Sequence, residues 1–277
     1  MLRNHITILF IIISLLGCNS RKAQEKNADK MLLNIQNLIS QSAYNKAKNQ
    51  IDSIHLLFPM LVEKRRIAAA LSDTIIRRES SRTLIYCDSI LPKKMKELDS
   101  IQKNFRFEKN SKYQDIGNYV YKTEVTESNA FRSYLKTYVD ENADFYLISN
   151  YCGSRIDQQS VEVSQNDIFS HTDTISVSNQ NNHSFDDGGS HFESLVFKNQ
   201  SQRAVVEFIV QSSNKALKVS LHGKKTFSYY MSDTDKRAII ETYHFWKAKK
   251  DVVLLQTEIK KANARIKRII SNIKKTN

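Results

Sequence analysis

Chemistry in this sequence would reside first in Asn181-Asn182-His183-Ser184-Phe185-Asp186-Asp187-Gly188-Gly189-Ser190-His191, where histidines and aspartates crowd a pair of glycines. Neutral imidazoles with carboxylates are the donor set of Zn²⁺, and carboxylates alone suit Ca²⁺. His191 and Glu193 stand two apart, as do His171 and Asp173, so each pair would project from one face of a strand. His183 and Asp186 complete a candidate ligand or metal set. Against this, Asp187-Gly188 and Gly188-Gly189 are turn dipeptides, because the central positions of tight hairpin turns need positive φ. No HExxH spacing and no nucleophile elbow appears, and Ser190 and Cys152 lack a supporting partner, so no catalytic residue is assigned. Two readings follow. The stretch turns the chain and needs no cofactor, or it holds Zn²⁺ or Ca²⁺; the residues favour the turn.

The compartment is written in the first residues. Arg3 and His5 precede the apolar run Ile6-Thr7-Ile8-Leu9-Phe10-Ile11-Ile12-Ile13-Ser14-Leu15-Leu16, which is short for a lasting membrane span. A charged start, an apolar core and small residues form the layout of an export signal. The core ends in Leu15-Leu16-Gly17-Cys18, which resembles the lipobox of bacterial lipoproteins, although Leu16 departs from the small or β-branched residue usual there. That resemblance implies removal of residues 1–17, acylation of Cys18 and a lipid-anchored tether over 18–27. Asn19 stands where an aspartate would resemble an inner-membrane retention signal, and residues 20–26 lack the acidic cluster of surface-export signals. The expected location is the outer membrane, facing the periplasm.

Export changes the meaning of the net charge of +13. A basic surface ordinarily suggests nucleic acid; in an exported chain, lipid head groups, lipopolysaccharide or an acidic protein are the partners instead. Cys87 and Cys152 could pair in an oxidising compartment, but nothing in their spacing requires it.

The elements that must position these residues read as helices flanking strands. Only six Gly and two Pro interrupt the chain, which favours long elements. Residues 28–104 read as a helical hairpin followed by a long helix, with Pro92 expected to kink or restart it. Within the hairpin, Tyr44, Ala47, Ile51, Ile54 and Pro59 resemble the second helix of a tetratricopeptide repeat, with no second copy. Residues 105–231 carry short β-rich runs, among them Tyr134–Val139, Phe145–Ile148, Val161–Val163, Ile175–Val177, Leu195–Phe197, Val205–Val210 and Leu217–Leu221. Many short strands at regular spacing predict an antiparallel β-sandwich. The tyrosines from Tyr113 to Tyr151 suit cross-strand pairing or stacking on sugar faces. Residues 232–277 form one helix in which Val252, Leu255, Ile259, Ala262, Ile266, Ile269 and Ile273 alternate steps of three and four, a coiled-coil-like seam. Its partner is the helix before the strands, running antiparallel, or a second copy in a homo-oligomer. The fold class is therefore α+β, a helical stalk carrying a β domain, an arrangement that resembles periplasmic adaptor proteins.

Asp, then Ser or Thr, then Ile recurs around Ser53, Thr74, Ser89, Ser100 and Thr174. The pattern resembles the O-glycosylation acceptor of exported proteins in certain Gram-negative anaerobes; helical patterning, with a polar pair before a core isoleucine, produces it equally. Together these features predict a lipid-anchored envelope protein that binds a protein or glycan partner, more a binding or structural module than an enzyme. The alternative is a periplasmic enzyme or metal-dependent glycan binder using His183 to Glu193.

Overall fold

The computed structural model describes residues 2–276 except 113, 125–128, 130 and 199, with side chains described between 21 and 273. The side chains of residues 1–17, where an export signal is expected, and of Cys18 lie outside the described residues, as does Tyr113. Among the described residues no helix is long and apolar enough to cross a membrane. The architecture is α+β. Among the described residues, helices α1 (Leu2–Ser40), α2 (Tyr44–Leu57) and α3 (Val62–Gln102) precede ten strands and one short helix, and α5 (Asp233–Thr276) follows them. The chain divides into two compact units, residues 1–89 with 257–277, and residues 90–256, so α3 and α5 each contribute to both.

The first unit is built by helical periodicity. Ala28, Leu32, Ile35 and Ile39 of α1, Tyr44, Ala47, Ile51 and Ile54 of α2, and Ala68 and Ile75 of α3 are all buried in one core. The α1 and α2 sets repeat at three or four residues and the α3 pair stands seven apart, which aligns each along one helix face. Ser42 takes a positive φ of 59° in the α1–α2 turn. Arg78 donates to the carbonyl oxygen of Ile39, and Lys48 pairs with Glu79 at 2.8 Å, fastening α3 to both members of the hairpin.

In the second unit, β1 (Phe105–Glu108), β2 (Asn118–Tyr121), β3 (Tyr134–Asp140), β4 (Phe145–Gly153), β7 (Asn182–Asp187) and β8 (Ser190–Lys198) form a six-stranded sheet in the order β1-β2-β3-β4-β8-β7. The strands β5 (Ser160–Gln165), β6 (Ile168–His171), β9 (Lys218–His222) and β10 (Thr226–Tyr230) form a second sheet, ordered β10-β9-β5-β6. All pairings are antiparallel. Strict alternation along β4 and β8 buries Leu147, Leu195 and Phe197, which share a core with Val161, Val163, Val219 and Leu221 of the second sheet.

Helix α4 (Arg203–Gln211) and the first half of α5 pack against that core through Val205, Val206, Ile209, Ile239 and Phe245. The last turns of α3 and the first half of α5 run antiparallel: Lys94 meets Asp251 at 2.8 Å, while Phe105, just beyond α3, stacks on Phe245 at 4.3 Å.

Two local expectations are corrected and a third is narrowed. Val205–Val210 is helical, because burying Val205, Val206 and Ile209 follows a helix face and turns Glu207 outward to pair with Arg203; strand alternation would have put the adjacent Val205 and Val206 on opposite faces. Ile175–Val177 forms no strand. Ile175 makes one backbone bond to Gln159 and packs on the core, and an asparagine-rich turn follows at once. Of the kink or restart expected at Pro92, the restart is absent: α3 is one helix through that residue.

Of the seam on α5, Val252, Ala262 and Ile269 are buried, Leu255, Ile259 and Ile266 half-buried, and Ile273 exposed. Replacing fully buried Phe245 with Ala should therefore cost about 3–5 kcal/mol. Ile273→Ala should change stability by less than about 0.5 kcal/mol. Urea unfolding midpoints measure both, and equal losses would contradict this packing.

Candidate functional site

The stretch that carries the chemical residues folds as a hairpin. Asn182–Asp187 is strand β7, paired with β8 so that Asp187 faces Ser190 and only Gly188 and Gly189 lie between. Both glycines have positive φ, 57° and 77°, the requirement of a two-residue turn that follows sheet twist. The pairing then sorts the candidates by face. Asp186 lies opposite His191 and Ser184 opposite Glu193, so Asp186, His191 and Glu193 share one face and His183 the other.

The three that converge bond to one another and to backbone. His191 is buried, and its Nδ1 is 2.6 Å from Asp186 Oδ1. Arg155 Nε and Glu193 Oε1 each lie 3.4 Å from His191 Nε2. Buried Glu193 accepts three consecutive backbone N–H groups: Ile156 at 2.8 Å and Asp157 at 2.9 Å on Oε1, Gln158 at 2.6 Å on Oε2. A carboxylate whose oxygens already accept three amides has little capacity left for a metal ion. Nε2, between Arg155 and Glu193 Oε1, presents no open lone pair to a substrate.

The surrounding contacts make this a joint between sheets. Gln158 is fully buried; its Nε2 donates to the Ser149 carbonyl of β4, and its own carbonyl accepts from Asn182 of β7. Gln159 donates to His222 of β9. Asp157 has a positive φ of 51°, and Lys224 bonds its carboxylate at 2.7 Å, holding that carboxyl below the usual range. A Cβ on Gly223 would sit 2.3 Å from the Asp157 carbonyl oxygen, so only glycine fits there.

The other candidates stay apart. His171 ends β6 in the second sheet and bonds the Thr172 carbonyl, Asp173 follows it, and His183 is exposed. Among the described residues no group of three or more His, Cys, Asp or Glu is arranged to hold a metal ion. Ser53, Thr74 and Ser89 bond back to helix carbonyls, Ser100 lies exposed on α3, and Thr174 is exposed beyond β6. Cys87 and Cys152 are free thiols. Tyr138 and Tyr146 stack across β3 and β4 at 4.4 Å, while Tyr121, Tyr134 and Tyr151 are buried.

Two further features join residues far apart in the sequence. One is a buried polar cluster. Arg132 forms a two-pronged pair with buried Asp235 at 2.7 and 2.5 Å and lies over the Tyr134 ring. Nearby Glu124 is buried, and its Oε2 and the Tyr229 hydroxyl have no hydrogen-bond partner among the described residues. Burial, reinforced by the charge of Asp235, pushes the Glu124 carboxyl up to about 7.

The other is a cleft of about 250 Å³ where α4 and α5 meet the β3–β4 turn. Phe145, Val206, Trp246 and Leu254 supply its apolar wall; Asn142, Asp144, Gln200, Arg203 and Lys250 supply polar groups. Trp246 is fixed by donating Nε1–H to the Ala143 carbonyl at 3.0 Å and by edge contact with Phe145. Ala143 has a positive φ of 63° in a turn held by Asp140, which accepts the amides of Asn142 and Asp144. Lys250 Nζ lies 4.7 Å from the indole centroid. Compared with known proteins, the chain matches no family model, no curated protein and no solved structure.

Glu193→Gln should cost about 2–4 kcal/mol, because an amide cannot accept three backbone donors. His183→Ala should cost less than about 0.5 kcal/mol. Denaturation midpoints distinguish them, and a His183→Ala costlier than Glu193→Gln would contradict this division of roles. For Glu124, the folded state keeps a proton to about pH 7 that the unfolded chain releases near 4.5. Its contribution therefore falls as pH rises through this window, by about 3 kcal/mol in all. Glu124→Gln should abolish that difference in stability-against-pH curves; parallel curves for the two proteins would refute it.

Proposed function

We propose that this chain is an exported, lipid-anchored envelope protein, facing the periplasm from the outer membrane, whose β unit is a binding module for a glycan. The observation that carries the binding reading is the Trp246 cleft. An indole face beside Phe145 and Tyr243 offers the apolar surface on which a sugar ring stacks, and Asn142, Gln200 and Lys250 offer polar groups for its hydroxyls. At about 250 Å³ the space suits a single ring, below the roughly 300–1,000 Å³ typical of drug-sized ligand sites.

Binding is favoured over catalysis because the cleft's one carboxylate, Asp144, pairs with Lys198 at 2.9 Å. The Asp186–His191–Glu193 group is engaged in its own framework. Support for the anchor comes from the apolar segment ending at Leu15-Leu16-Gly17-Cys18.

On a panel of envelope glycans, Trp246→Ala should weaken binding at least about tenfold, the loss of one stacking contact of roughly 1.4 kcal/mol, with an unchanged circular dichroism spectrum. Glycan binding indifferent to that substitution would refute the cleft as the site. Separately, Cys18→Ser should move the protein out of the membrane fraction; retention there would refute acylation as the anchor.

A further inference from the structure

The turn joining α2 to α3 is divided in an unusual way. Phe58 and Leu61 are buried in the helical core, whereas Leu56, Leu57, Met60 and Val62 are exposed, Leu56 at 79% and Met60 at 82%. Exposed large apolar residues scattered singly need no explanation, but four within one turn form a patch that water does not favour.

The patch has a definite neighbour. Met60, Val62 and Lys64 line one surface depression with Arg21 and Glu25 of α1, and Lys64 pairs with Asp29 at 2.5 Å. The turn thus lies beside the first turns of α1 that follow Cys18. Arg21 is three residues past that cysteine, roughly 5 Å along a helix. The surroundings are basic. Lys22, Lys26 and Lys30 lie exposed on α1 and Arg66 on α3. The local acids Glu25, Asp29 and Glu63 are each answered by Arg21, Lys64 and Arg66, so the surplus is positive.

We infer that the α2–α3 turn is a membrane-contact surface that seats Leu56, Leu57, Met60 and Val62 among the acyl chains of an anionic leaflet. An apolar tip ringed by Lys and Arg is the composition of interfacial membrane binding, with cations left at the head groups. The inference rests on the lipid-anchored reading, since the anchor at Cys18 is what brings the turn to the bilayer. A second contact beside the anchor holds the helical unit in one orientation at the membrane, which a single flexible tether does not.

The test uses the full chain, purified with its own signal processing and reconstituted into phosphatidylethanolamine–phosphatidylglycerol vesicles carrying brominated acyl chains. Met60→Trp, in a Trp246→Phe background, places the only indole at the turn. Tyr86→Trp in the same background is the control, at an exposed α3 position roughly 36 Å along the helix from the turn. The mass of the N-terminal peptide reports acylation in the same samples. The expected result is blue-shifted emission that brominated lipid quenches at position 60 and leaves unquenched at position 86.

Acylated protein with equal, weak quenching at both positions overturns the inference and leaves the anchor reading intact. Emission at position 60 that is blue-shifted in detergent and in vesicles alike, without quenching, means a protein surface or second copy covers the turn, and also overturns it. Unacylated protein refutes the anchor reading. Quenching confined to position 60 in that case still supports the surface itself, and absence of quenching refutes both.

Discussion

The β unit depends on one carboxylate. Glu193 sits near the middle of β8 with its side chain turned into the core, where an unsatisfied charge would be costly, and three consecutive backbone amides receive it. Those amides belong to residues 156–158, the connection that leaves β4 in one sheet and enters β5 in the other. Without the carboxylate, the same amides would be buried donors with nothing to bond. Each side therefore needs the other, and the crossing between sheets is fixed at that point. The neighbouring contacts extend the same constraint: Gln158 reaches β4 and β7, Gln159 reaches β9, and Gly223 lets the β9–β10 turn press against the crossing backbone.

This constraint explains why residues with catalytic credentials are architectural. His191 is held by Asp186 on one nitrogen and faces Arg155 and Glu193 with the other, which orients the hairpin and occupies both sites of the ring. The proposed binding cleft lies at the opposite end of β4. There the β3–β4 turn, pinned by Asp140, presents the Ala143 carbonyl to Trp246 and fixes the indole at the edge of a cleft. The rigidity of the sheet and of α5 is what makes that ring a preorganised surface.

Much of this was legible from residue order. Helical periodicity from Ala28 to Ile54, strand alternation in Phe145–Ile148 and the Gly188-Gly189 turn each express a local rule, and the α+β class follows from their order. The failures have physical causes too. Val205–Val210 is rich in β-branched residues, so propensity pointed to a strand, but burying the neighbours Val205 and Val206 together with Ile209 required a helix face. Asn182–Asp187 has little apolar alternation because β7 is an exposed edge strand, so it read as a loop. The candidate ligands were sorted by register: one residue decides the face, and His183 fell on the far side from His191. The Arg132–Asp235 pair and the wall of the cleft join residues some hundred positions apart, which no spacing within the sequence could announce.

The central claim, that the Glu193 carboxylate holds the crossing between the sheets, is tested most directly by native-state hydrogen exchange at the amides of Ile156, Asp157 and Gln158. These amides lie outside any strand and make no backbone hydrogen bond, so the carboxylate is their protection. The account predicts exchange as slow as that of the central amides of β4 and β8, reached only through cooperative opening of the unit. Exchange at the rate of an exposed loop, with β4 and β8 still protected, would contradict it.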